Sequence, residues 1–277
     1  MPILHKLAAD FAGSAVDLQP LEEAALHSAI PGLRGAWKAG LLERSCTDID
    51  VAALHSAYLG AARRAGATLV TGARVNRLDR QESGWRLATG GGSFEAGAIV
   101  NAAGAWADDI AAMAEVPALG IQPYRRTIVQ LRVDPPAPSD LPLVIDAAGR
   151  FYFKPEAGGR LWLSPHDETA CAASDCAAEE LDVAIAVDRL ERLVGWKVER
   201  VEHSWAGLRS FAPDRLPVYG LAPEAPDFFW CAGQGGFGIQ TAPAAAKLAA
   251  AVLLGRSPDP LVEHIDPAPY APGRFMN

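Results

Sequence analysis

Cations and cysteines are scarce in this chain of 277 residues. Lys and Arg total 25 against 33 Asp and Glu, so the formal net charge is −8. This acidic balance disfavours nucleic acid as a partner, because phosphate binding needs clustered Lys and Arg. The four cysteines, at positions 46, 171, 176 and 231, lack the paired spacing of a zinc site, which predicts no metal. We expect reduced thiols in a cytoplasmic protein.

Long apolar runs are also absent. The N-terminal stretch "MPILHKLAADFAG" has no basic region followed by an apolar core, which disfavours a secretory signal. The most apolar predicted helix, 242–254, contains Lys247 and is too short to span a bilayer. With 50% hydrophobic and 21% charged residues, the composition is that of a globular chain with a large core.

The first part of the chain reads as alternating helices and strands. Residues 2–30 are predicted to be helical, with Pro20 opening a second piece, and a helix capped by Asp50 and Gly66 follows. Strands are predicted at "ATLVT", "RVNRLDR" and "GWRLAT", followed by a triple-glycine hairpin turn. The segment "AIVNAAGAWADDIAAMAEV" then has the strand, glycine turn and helix of a nucleotide-binding layer.

The middle of the chain changes character. Short β-type runs such as "YRRTIVQLRV", "RFYFKP" and "RLWLSP" are separated by Pro and Gly loops, a pattern typical of an antiparallel sheet. The helix "EELDVAIAVDRLERLVG" is predicted to pack on it, and the strand "KVERVEHSWAG" follows. We therefore predict a mixed α/β fold (α+β), with a nucleotide-binding layer at 1–118, an antiparallel substrate domain at 119–203 and a return to the layer at 204–277.

Residues 233–238, "GQGGFG", match the dinucleotide pattern G-x-G-x-x-G letter for letter. A true fingerprint needs a second parallel strand and an acidic ribose ligand after the helix. The short remainder of the chain, "RSPDPLVEHIDPAPYAP", contains no convincing strand. The pattern alone leaves two interpretations open: a different cofactor loop, or a glycine turn needed only for packing.

Three segments together resemble the FAD-dependent D-amino acid oxidase and dehydrogenase superfamily: "IVNAAGAWAD", "WAGLRSFAPDRLPVYG" and "FFWCAGQGGFGIQTAP". Within it, "DIDVAALHSAYL", "FYFKPEAGG" and "WAGLRSF" are most similar to the D-arginine dehydrogenases of bacteria. The resemblance is clear from about residue 45 onward. It implies an incomplete FAD-binding Rossmann-like layer with an inserted antiparallel substrate sheet.

The chain departs from this family at its start. Family members open with a strand and a G-x-G-x-x-G turn that hold the FAD pyrophosphate, and neither is present here. The chain thus resembles an N-terminally truncated member. Three readings stay open: an FAD-dependent D-amino acid dehydrogenase or oxidase, a sarcosine or glycine oxidase-like enzyme, and a non-catalytic remnant or one part of a split flavoenzyme. The last would have a separate nucleotide-binding subunit as its partner.

The resemblance assigns the glycine segment to the flavin. Its glycines would let the backbone approach the isoalloxazine ring, and the following helix would point its N-terminal amides at the reduced flavin. Val75 and Trp106 each have a structural alternative, as an ordinary strand residue and as a core residue. The cofactor candidates are Val75, Ala103, Gly104, Trp106, Gly235, Gly236, Phe237, Gly238, Ile239, Gln240 and Thr241.

The resemblance also supplies substrate-binding candidates. Arg209 would clamp the substrate carboxylate with two parallel hydrogen bonds; the alternative is a structural arginine paired with Asp214 or a backbone carbonyl. Only one of Arg125 and Arg126 can point inward, because adjacent strand residues face opposite ways, and the family match selects Arg126. Tyr152 would bind the carboxylate through its hydroxyl, or be a core aromatic residue.

The remaining candidates complete the predicted pocket. Gly236 would offer its carbonyl to the substrate amine, and Leu143 and Ile145 would line the side-chain pocket. None of the six histidines falls in these motifs, which agrees with hydride transfer to FAD without a strong protein base. The resulting imine would hydrolyse to a 2-oxo acid and ammonia. The sequence leaves open whether electrons pass to oxygen or to a quinone.

Overall fold

The computed structural model describes residues 2–35 and 37–276. Short 3-10 turns lie at Gly104–Trp106, Ala268–Tyr270 and Pro272–Phe275. Across these described ranges, no helix combines the length and the apolar character needed to cross a bilayer. The α-helices are α1 (Pro2–Asp10), α2 (Glu23–Ala29), α3 (Val51–Arg64), α4 (Ala107–Met113), α5 (Glu180–Leu193) and α6 (Gly238–Leu254).

The strands form antiparallel sheets and one parallel pair. A six-stranded sheet has the order β11-β7-β10-β9-β8, with β12 also paired to β7; the smaller sheets are β1-β2, β3-β4-β5 and β13-β14-β6. This arrangement confirms the predicted mixed α/β class. The strands are β1 (Leu18–Glu22), β2 (Ala39–Glu43), β3 (Val75–Gln81), β4 (Gly84–Thr89), β5 (Gly92–Ala96), β6 (Ile99–Asn101), β7 (Gln122–Asp134), β8 (Val144–Ile145), β9 (Tyr152–Glu156), β10 (Arg160–Ser164), β11 (Thr169–Ala170), β12 (Lys197–Phe211), β13 (Val218–Ala222) and β14 (Ala225–Ala232).

The chain divides into two compact units, which we describe separately. The large-sheet unit comprises Met1–Asp48, Arg125–Thr169 and Asp175–Gly207. The glycine-loop unit comprises Ile49–Tyr124, Ala170–Ser174 and Leu208–Asn277. This division puts the first 48 residues with the middle of the chain, whereas the sequence-based division grouped them with the nucleotide-binding layer. The functional labels of those segments stay predictions.

The core of the large-sheet unit lies between α5 and one face of the sheet. Alternate residues of β7, among them Val129 and Leu131, are fully buried with Phe153 of β9. Ala186 and Leu190 of α5 pack against them, as the amphipathic pattern of this helix predicts. Because side chains alternate along a strand, the opposite face of β7, β9 and β10 carries a separate set of residues.

The glycine-loop unit is built on the parallel pair β6 and β14. Phe228 and Trp230 of β14 are fully buried and pack with Ile99 of β6 and Ala107 of α4. β13 pairs antiparallel with the other edge of β14. Strand, turn and helix thus follow one another at 99–113, as the sequence predicts for a nucleotide-binding layer.

Helix α3 has the predicted ends but not the predicted packing. The Asp50 carboxylate accepts a 2.9 Å hydrogen bond from the Ala53 N–H, and Gly66 adopts φ +95° just after the helix. No residue of α3 is buried, however, and the expected apolar face is open: Val51 and Tyr58 are nearly half exposed. The apolar pattern therefore has no partner surface within the described part of the chain.

Two predicted elements near the start are wrong. Residues 67–71, "ATLVT", form no strand, because none of the described strands pairs with their backbone; Leu69 and Val70 are about half exposed. The segment 18–22 is not helical as predicted but forms β1, with Pro20 opposite Leu41 of β2. The helical interpretation of 2–30 failed because pairing with β2 outweighs the local apolar pattern.

The turn between β8 and β9 is closed by a buried carboxylate. Asp146, whose side chain is 3% exposed, accepts hydrogen bonds from the Arg150 backbone N–H at 3.1 Å and from Arg150 Nε at 2.7 Å and Nη2 at 3.1 Å. Burial alone raises the pKa of the Asp146 carboxyl, but these hydrogen bonds outweigh it, and the pKa lies below its ordinary value.

We predict that Asp146→Asn lowers the free energy of unfolding by about 1–3 kcal/mol at neutral pH, because the charged hydrogen bonds are lost. A lowered folded-state pKa stabilises the protein above the unfolded-state pKa of about 3.9, and this contribution is lost as the pH falls through the folded-state pKa. Urea unfolding of both proteins should therefore show a difference that shrinks in acid. The exposed pair Asp188–Arg192 on α5 provides the control Asp188→Asn. A difference that is independent of pH would contradict the assignment.

Candidate functional site

Two loops leave the same edge of the parallel pair in the glycine-loop unit. Trp230 of β14 lies directly beside Asn101 of β6, at the carboxyl end of both strands. The chain then continues into the turn 102–106 after β6 and into the glycine loop 233–238 after β14. In α/β sheets, ligands bind outside the carboxyl ends of parallel strands. The two predicted cofactor motifs are thus brought to one edge.

The turn after β6 is held by Asn101, which is buried. Its Nδ2 donates to the Ala107 carbonyl at 2.8 Å, and its Oδ1 accepts from the Ala103 N–H at 3.3 Å. Gly104 adopts φ +58°, and a Cβ there would meet nothing within 4 Å. Trp106 is 40% exposed rather than buried in the core. The turn therefore presents open backbone and an accessible indole.

The glycine loop runs against the end of β12. Gln234 forms an antiparallel bridge with Phe211, and the Gly235 N–H donates to the Ser210 carbonyl at 2.8 Å. Gly235 adopts φ +56°, and a Cβ there would lie 2.2 Å from the Phe211 ring. Only glycine fits this position, for both its conformation and its contact distance.

Arg209 lies against the next glycine. A Cβ on Gly236 would approach Arg209 Nη1 to 2.7 Å, so the absence of a side chain leaves room for the guanidinium. Asp214, considered above as a partner of Arg209, accepts hydrogen bonds from Arg274 Nε at 2.7 Å and Nη2 at 3.1 Å. The structure thus brings together Arg209 and Gly236, both predicted to contact substrate.

Helix α6 begins at Gly238, the last residue of the glycine loop. The N–H groups of its first turn have no intrahelical acceptor, so they can bind an electron-rich group. Phe237 and Ile239, which flank the first residue, are more than half exposed. The Thr241 hydroxyl donates to the Phe237 carbonyl at 2.8 Å. Gln240 and Thr241 are both exposed.

Val75 lies at the start of β3, opposite Thr89 of β4. Its side chain is half-buried and packs against the core of the glycine-loop unit. A contact with the cofactor would therefore have to use the backbone of Val75, as the resemblance implies.

The sheet register places two further candidates on one face of the large-sheet unit. Tyr152 lies opposite Ser164 of β10, and Trp162, two residues earlier on β10, lies opposite Gln130 of β7. Residues separated by two along a strand share a face, so Arg126 lies on this face as well. This substrate face is opposite to the one that packs on α5.

Arg125 points to the α5 side instead. Its guanidinium makes ion pairs with Glu179 and, at 2.9 Å, with Asp182, at the start of α5. Arg126 is 5% exposed, and its Nη2 lies 3.9 Å from Glu168. The alternation along β7 therefore separates the two arginines, and Arg126 stays the candidate for carboxylate binding.

The two predicted pocket residues lie near Tyr152. Ile145 is directly opposite Tyr152 in the β8–β9 pair, and so shares its face, and Leu143 precedes β8. Both side chains are more than half exposed. Ile145 thus offers apolar surface beside Tyr152, and the pocket role of both residues stays a prediction.

Several structural residues of the site were missed by the sequence reasoning. The Asp108 carboxylate accepts from the N–H groups of Leu119 at 3.2 Å and Ile121 at 2.8 Å, which fixes the chain after α4. Asn101 and Phe211 hold the two loops, as described above. Asn101 immediately precedes the glycine turn, a position where a buried amide commonly closes a turn. No sequence signal identified Phe211.

A buried polar group also anchors the glycine loop. Gln234 Nε2 donates to Cys231 Sγ at 3.6 Å, and Tyr219 lies opposite Cys231 in the β13–β14 pair. Burial raises the pKa of the Cys231 thiol, and it raises the pKa of Tyr219 to about 12. Both groups are therefore neutral at physiological pH and serve as uncharged hydrogen-bonding groups.

Comparison with known proteins identifies the family. Residues 1–252 match the family described as DAO, FAD dependent oxidoreductase. The chain belongs to this family. It is 30% identical over 266 residues to a glycine oxidase of Pseudomonas aeruginosa, covering 91% of this chain and 66% of that protein. It is 31% identical over 199 residues to a glycine oxidase of Geobacillus kaustophilus, covering 71% of this chain and 51% of that protein.

The solved structures agree with this assignment. The crystal structure of glycine oxidase from Geobacillus kaustophilus superposes with a TM-score of 0.81 at 26% identity, covering 97% of this chain and 70% of that one. The chain spans about half to two thirds of the length of the two curated relatives described above. The chain is thus of the FAD-dependent oxidoreductase type, and FAD is the cofactor of the family.

The residues at the carboxyl edge of β6 and β14 fit FAD. The open backbone at Gly104 admits a close approach, and the accessible rings of Trp106 and Phe237 can contact a flat aromatic group. The free amides at the start of α6 suit the electron-rich end of the flavin. No comparable glycine-lined helix start follows the triple glycine at 90–92, which forms the β4–β5 turn.

We predict that Gly235→Ala weakens FAD binding and lowers the free energy of unfolding by about 1–3 kcal/mol, because the new methyl group collides with the Phe211 ring. Gly97→Ala is the matched control, since a Cβ at Gly97 meets nothing within 4 Å. Urea unfolding and equilibrium dialysis with FAD provide the two measurements. Equal behaviour of the two variants would show that the loop does not depend on this contact.

Proposed function

We propose that this chain is the substrate-binding and flavin-facing part of an amino acid dehydrogenase or oxidase that deaminates a D-amino acid to a 2-oxo acid. The observation that carries the proposal is the position of the Arg209 guanidinium against Gly236, within the loop that leads into helix α6. A cation beside an exposed glycine would offer one contact for the carboxylate of an amino acid, and the glycine carbonyl would offer one for its amine.

In the glycine-loop unit, Arg209 would bind the substrate carboxylate, and the Gly236 carbonyl would accept a hydrogen bond from the amine. A guanidinium donates two parallel hydrogen bonds, which limits rotation of the carboxylate. Holding both groups fixes the direction of the Cα–H bond, and orientation of this kind contributes a large part of catalysis.

In the large-sheet unit, Arg126 and Tyr152 would provide contacts for the same class of ligand. Both lie on the substrate face, where a phenol hydroxyl and a guanidinium are complementary to a carboxylate. Leu143 and Ile145 would contact methylene groups of the substrate side chain. These roles follow from the shared face and from the chemistry of each group.

The chemistry itself needs a two-electron acceptor, and bound FAD supplies it by accepting hydride. The amino acid must lose hydride from Cα and one proton from its amine. The product is an imino acid, which water converts to a 2-oxo acid and ammonia. The protein residues orient the substrate, and the Gly236 carbonyl would accept a hydrogen bond from the amine, which reacts in its unprotonated form.

We predict that anaerobic addition of the substrate bleaches the visible flavin bands of the FAD-loaded chain. D-Alanine, glycine and sarcosine separate the D-amino acid type from the glycine and sarcosine oxidase types, and admission of oxygen or of a quinone identifies the acceptor.

Arg209→Ala should raise KM more than tenfold, because the carboxylate loses its charged partner.

The control variant is Arg192→Ala, which removes an exposed arginine of α5 that pairs with Asp188. It should leave KM unchanged. Bleaching with an unchanged KM in Arg209→Ala would reject the carboxylate role of Arg209 while leaving the flavin chemistry intact.

A second candidate is that this chain needs an additional nucleotide-binding unit before it holds FAD. The exposed apolar residues of the glycine-loop unit favour this possibility: Leu69, Val70 and Val100 are each about half exposed, and β6 is an edge strand of its sheet. An apolar strand edge of this kind is a surface for another segment to pair with. Helix α3 of the same unit also buries no residue.

We predict that FAD affinity distinguishes these candidates. If the chain alone binds FAD, equilibrium dialysis should give saturable binding with one flavin per chain. If a further unit is required, binding should be undetectable at micromolar FAD.

Val100→Thr removes apolar character from the edge strand, and under the second candidate it should reduce self-association in sedimentation. An unchanged sedimentation profile would count against that candidate.

A further inference from the structure

The substrate face of the large-sheet unit carries a cation beyond the proposed carboxylate contacts. Lys154 follows Tyr152 by two residues on β9, so both side chains lie on this face. At about 3.3 Å per residue, the two positions are about 7 Å apart along the strand. The side chain of Lys154 is 26% exposed and thus accessible to a solute.

An indole ring lies directly beside this cation. Trp162 is the cross-strand neighbour of Lys154, and the Lys154 ammonium is 5.8 Å from the centroid of the Trp162 ring. Trp205 contacts the same ring edge-on, with centroids 5.5 Å apart. Among the described residues, Trp162 Nε1 has no hydrogen-bond partner, although its atom is buried. A buried donor without an acceptor is costly, and an acceptor on a ligand would satisfy it.

The anion now beside Lys154 is weakly held. Asp48 makes an ion pair with the Lys154 ammonium, but the Asp48 side chain is 83% exposed. Exposed ion pairs contribute little, about 0–1 kcal/mol, so a carboxylate of a ligand can replace that of Asp48. Lys154, in contrast, is fixed to the sheet by its strand.

We propose that Lys154 and Trp162 bind a second carboxylate, so that the substrate class is amino acids with an acidic side chain. This inference rests on the proposed function, because it takes one carboxylate of the ligand to lie at Arg126 and Tyr152, the carboxylate contacts proposed for the large-sheet unit. The distal carboxylate then reaches Lys154, which supplies the charge, and Trp162, which supplies an indole N–H. A chain of the length of glutamate matches the separation along β9.

The test is isothermal titration calorimetry of the full chain, in the presence of excess FAD, with three probes. Glutarate carries two carboxylates, butanoate carries one, and 5-aminopentanoate replaces the distal carboxylate by a cation. Glutarate should bind at least tenfold more tightly than butanoate, because it adds a charged hydrogen bond. Equal affinities, or tighter binding of 5-aminopentanoate, would overturn the proposal.

Variants give effects of opposite sign, which loss of folding would not produce. Lys154→Met should remove the preference for glutarate and leave butanoate binding unchanged, and Lys154→Arg should restore part of the preference. Asp48→Asn should tighten glutarate binding, because it removes the competing carboxylate. The control Lys197→Met, at an exposed lysine at the start of β12, should change neither.

The same titrations separate this proposal from the proposed function. If Arg126→Met loses butanoate binding and the unmodified chain shows no preference for glutarate, the carboxylate contact at Arg126 stands. Only the acidic subsite at Lys154 and Trp162 is then overturned. Absence of binding by all three probes would overturn both the subsite and the carboxylate role of Arg126.

Discussion

The close approach of the glycine loop to the end of β12 is the contact on which the geometry of the candidate site depends. Gly235 and Gly236 pass so near to Phe211 and Arg209 that neither can carry a side chain without displacement of its neighbour. This contact sets the direction in which α6 begins, and so the direction of its free amides. It also leaves room for the Arg209 guanidinium beside Gly236. Both the packing of this loop and its proposed chemistry therefore depend on glycine at positions 235 and 236.

In the large-sheet unit, the two faces of the sheet are separated: one packs in the core, and the other is the proposed substrate face. Strand alternation puts Val129 and Leu131 against α5 and puts Arg126 on the opposite face. The side chains on the α5 face stabilise the sheet. The other face carries Tyr152, Trp162, Arg126 and Lys154 on rigid strands. Sites on strands are held more accurately than sites on loops. The β8–β9 turn, closed by Asp146, supports the same surface at its edge.

The sequence predicted local elements well where their pattern could be satisfied locally. The caps of α3, the span of α5 and the glycine turns all follow from residue types and spacing. The resemblance pointed to the two loops, and the structure brings these loops to one edge through the parallel pair β6 and β14. The family match to FAD dependent oxidoreductases covers both loops, and the roles of their residues stay predictions.

The parts that sequence reasoning missed depend on partners distant in the chain. Residues 18–22 form a strand only because 39–43 pair with them, and residues 67–71 stay irregular because no described strand does. The roles of Phe211 and Asn101 depend on contacts that no local pattern encodes. The choice of Arg126 over Arg125 came from the resemblance, whereas the ion pairs of Arg125 with the acidic start of α5 became visible only in the structure.

We propose that the turn 103–106 and the loop 235–241 form two walls of one flavin site. Hydrogen exchange tests this proposal most directly. Exchange of backbone amides is followed by mass spectrometry with and without saturating FAD. We expect both segments to gain protection together, at the same FAD concentration. The exchange of the triple glycine at 90–92 should be unchanged. Protection of only one segment, or of 90–92 instead, would contradict it.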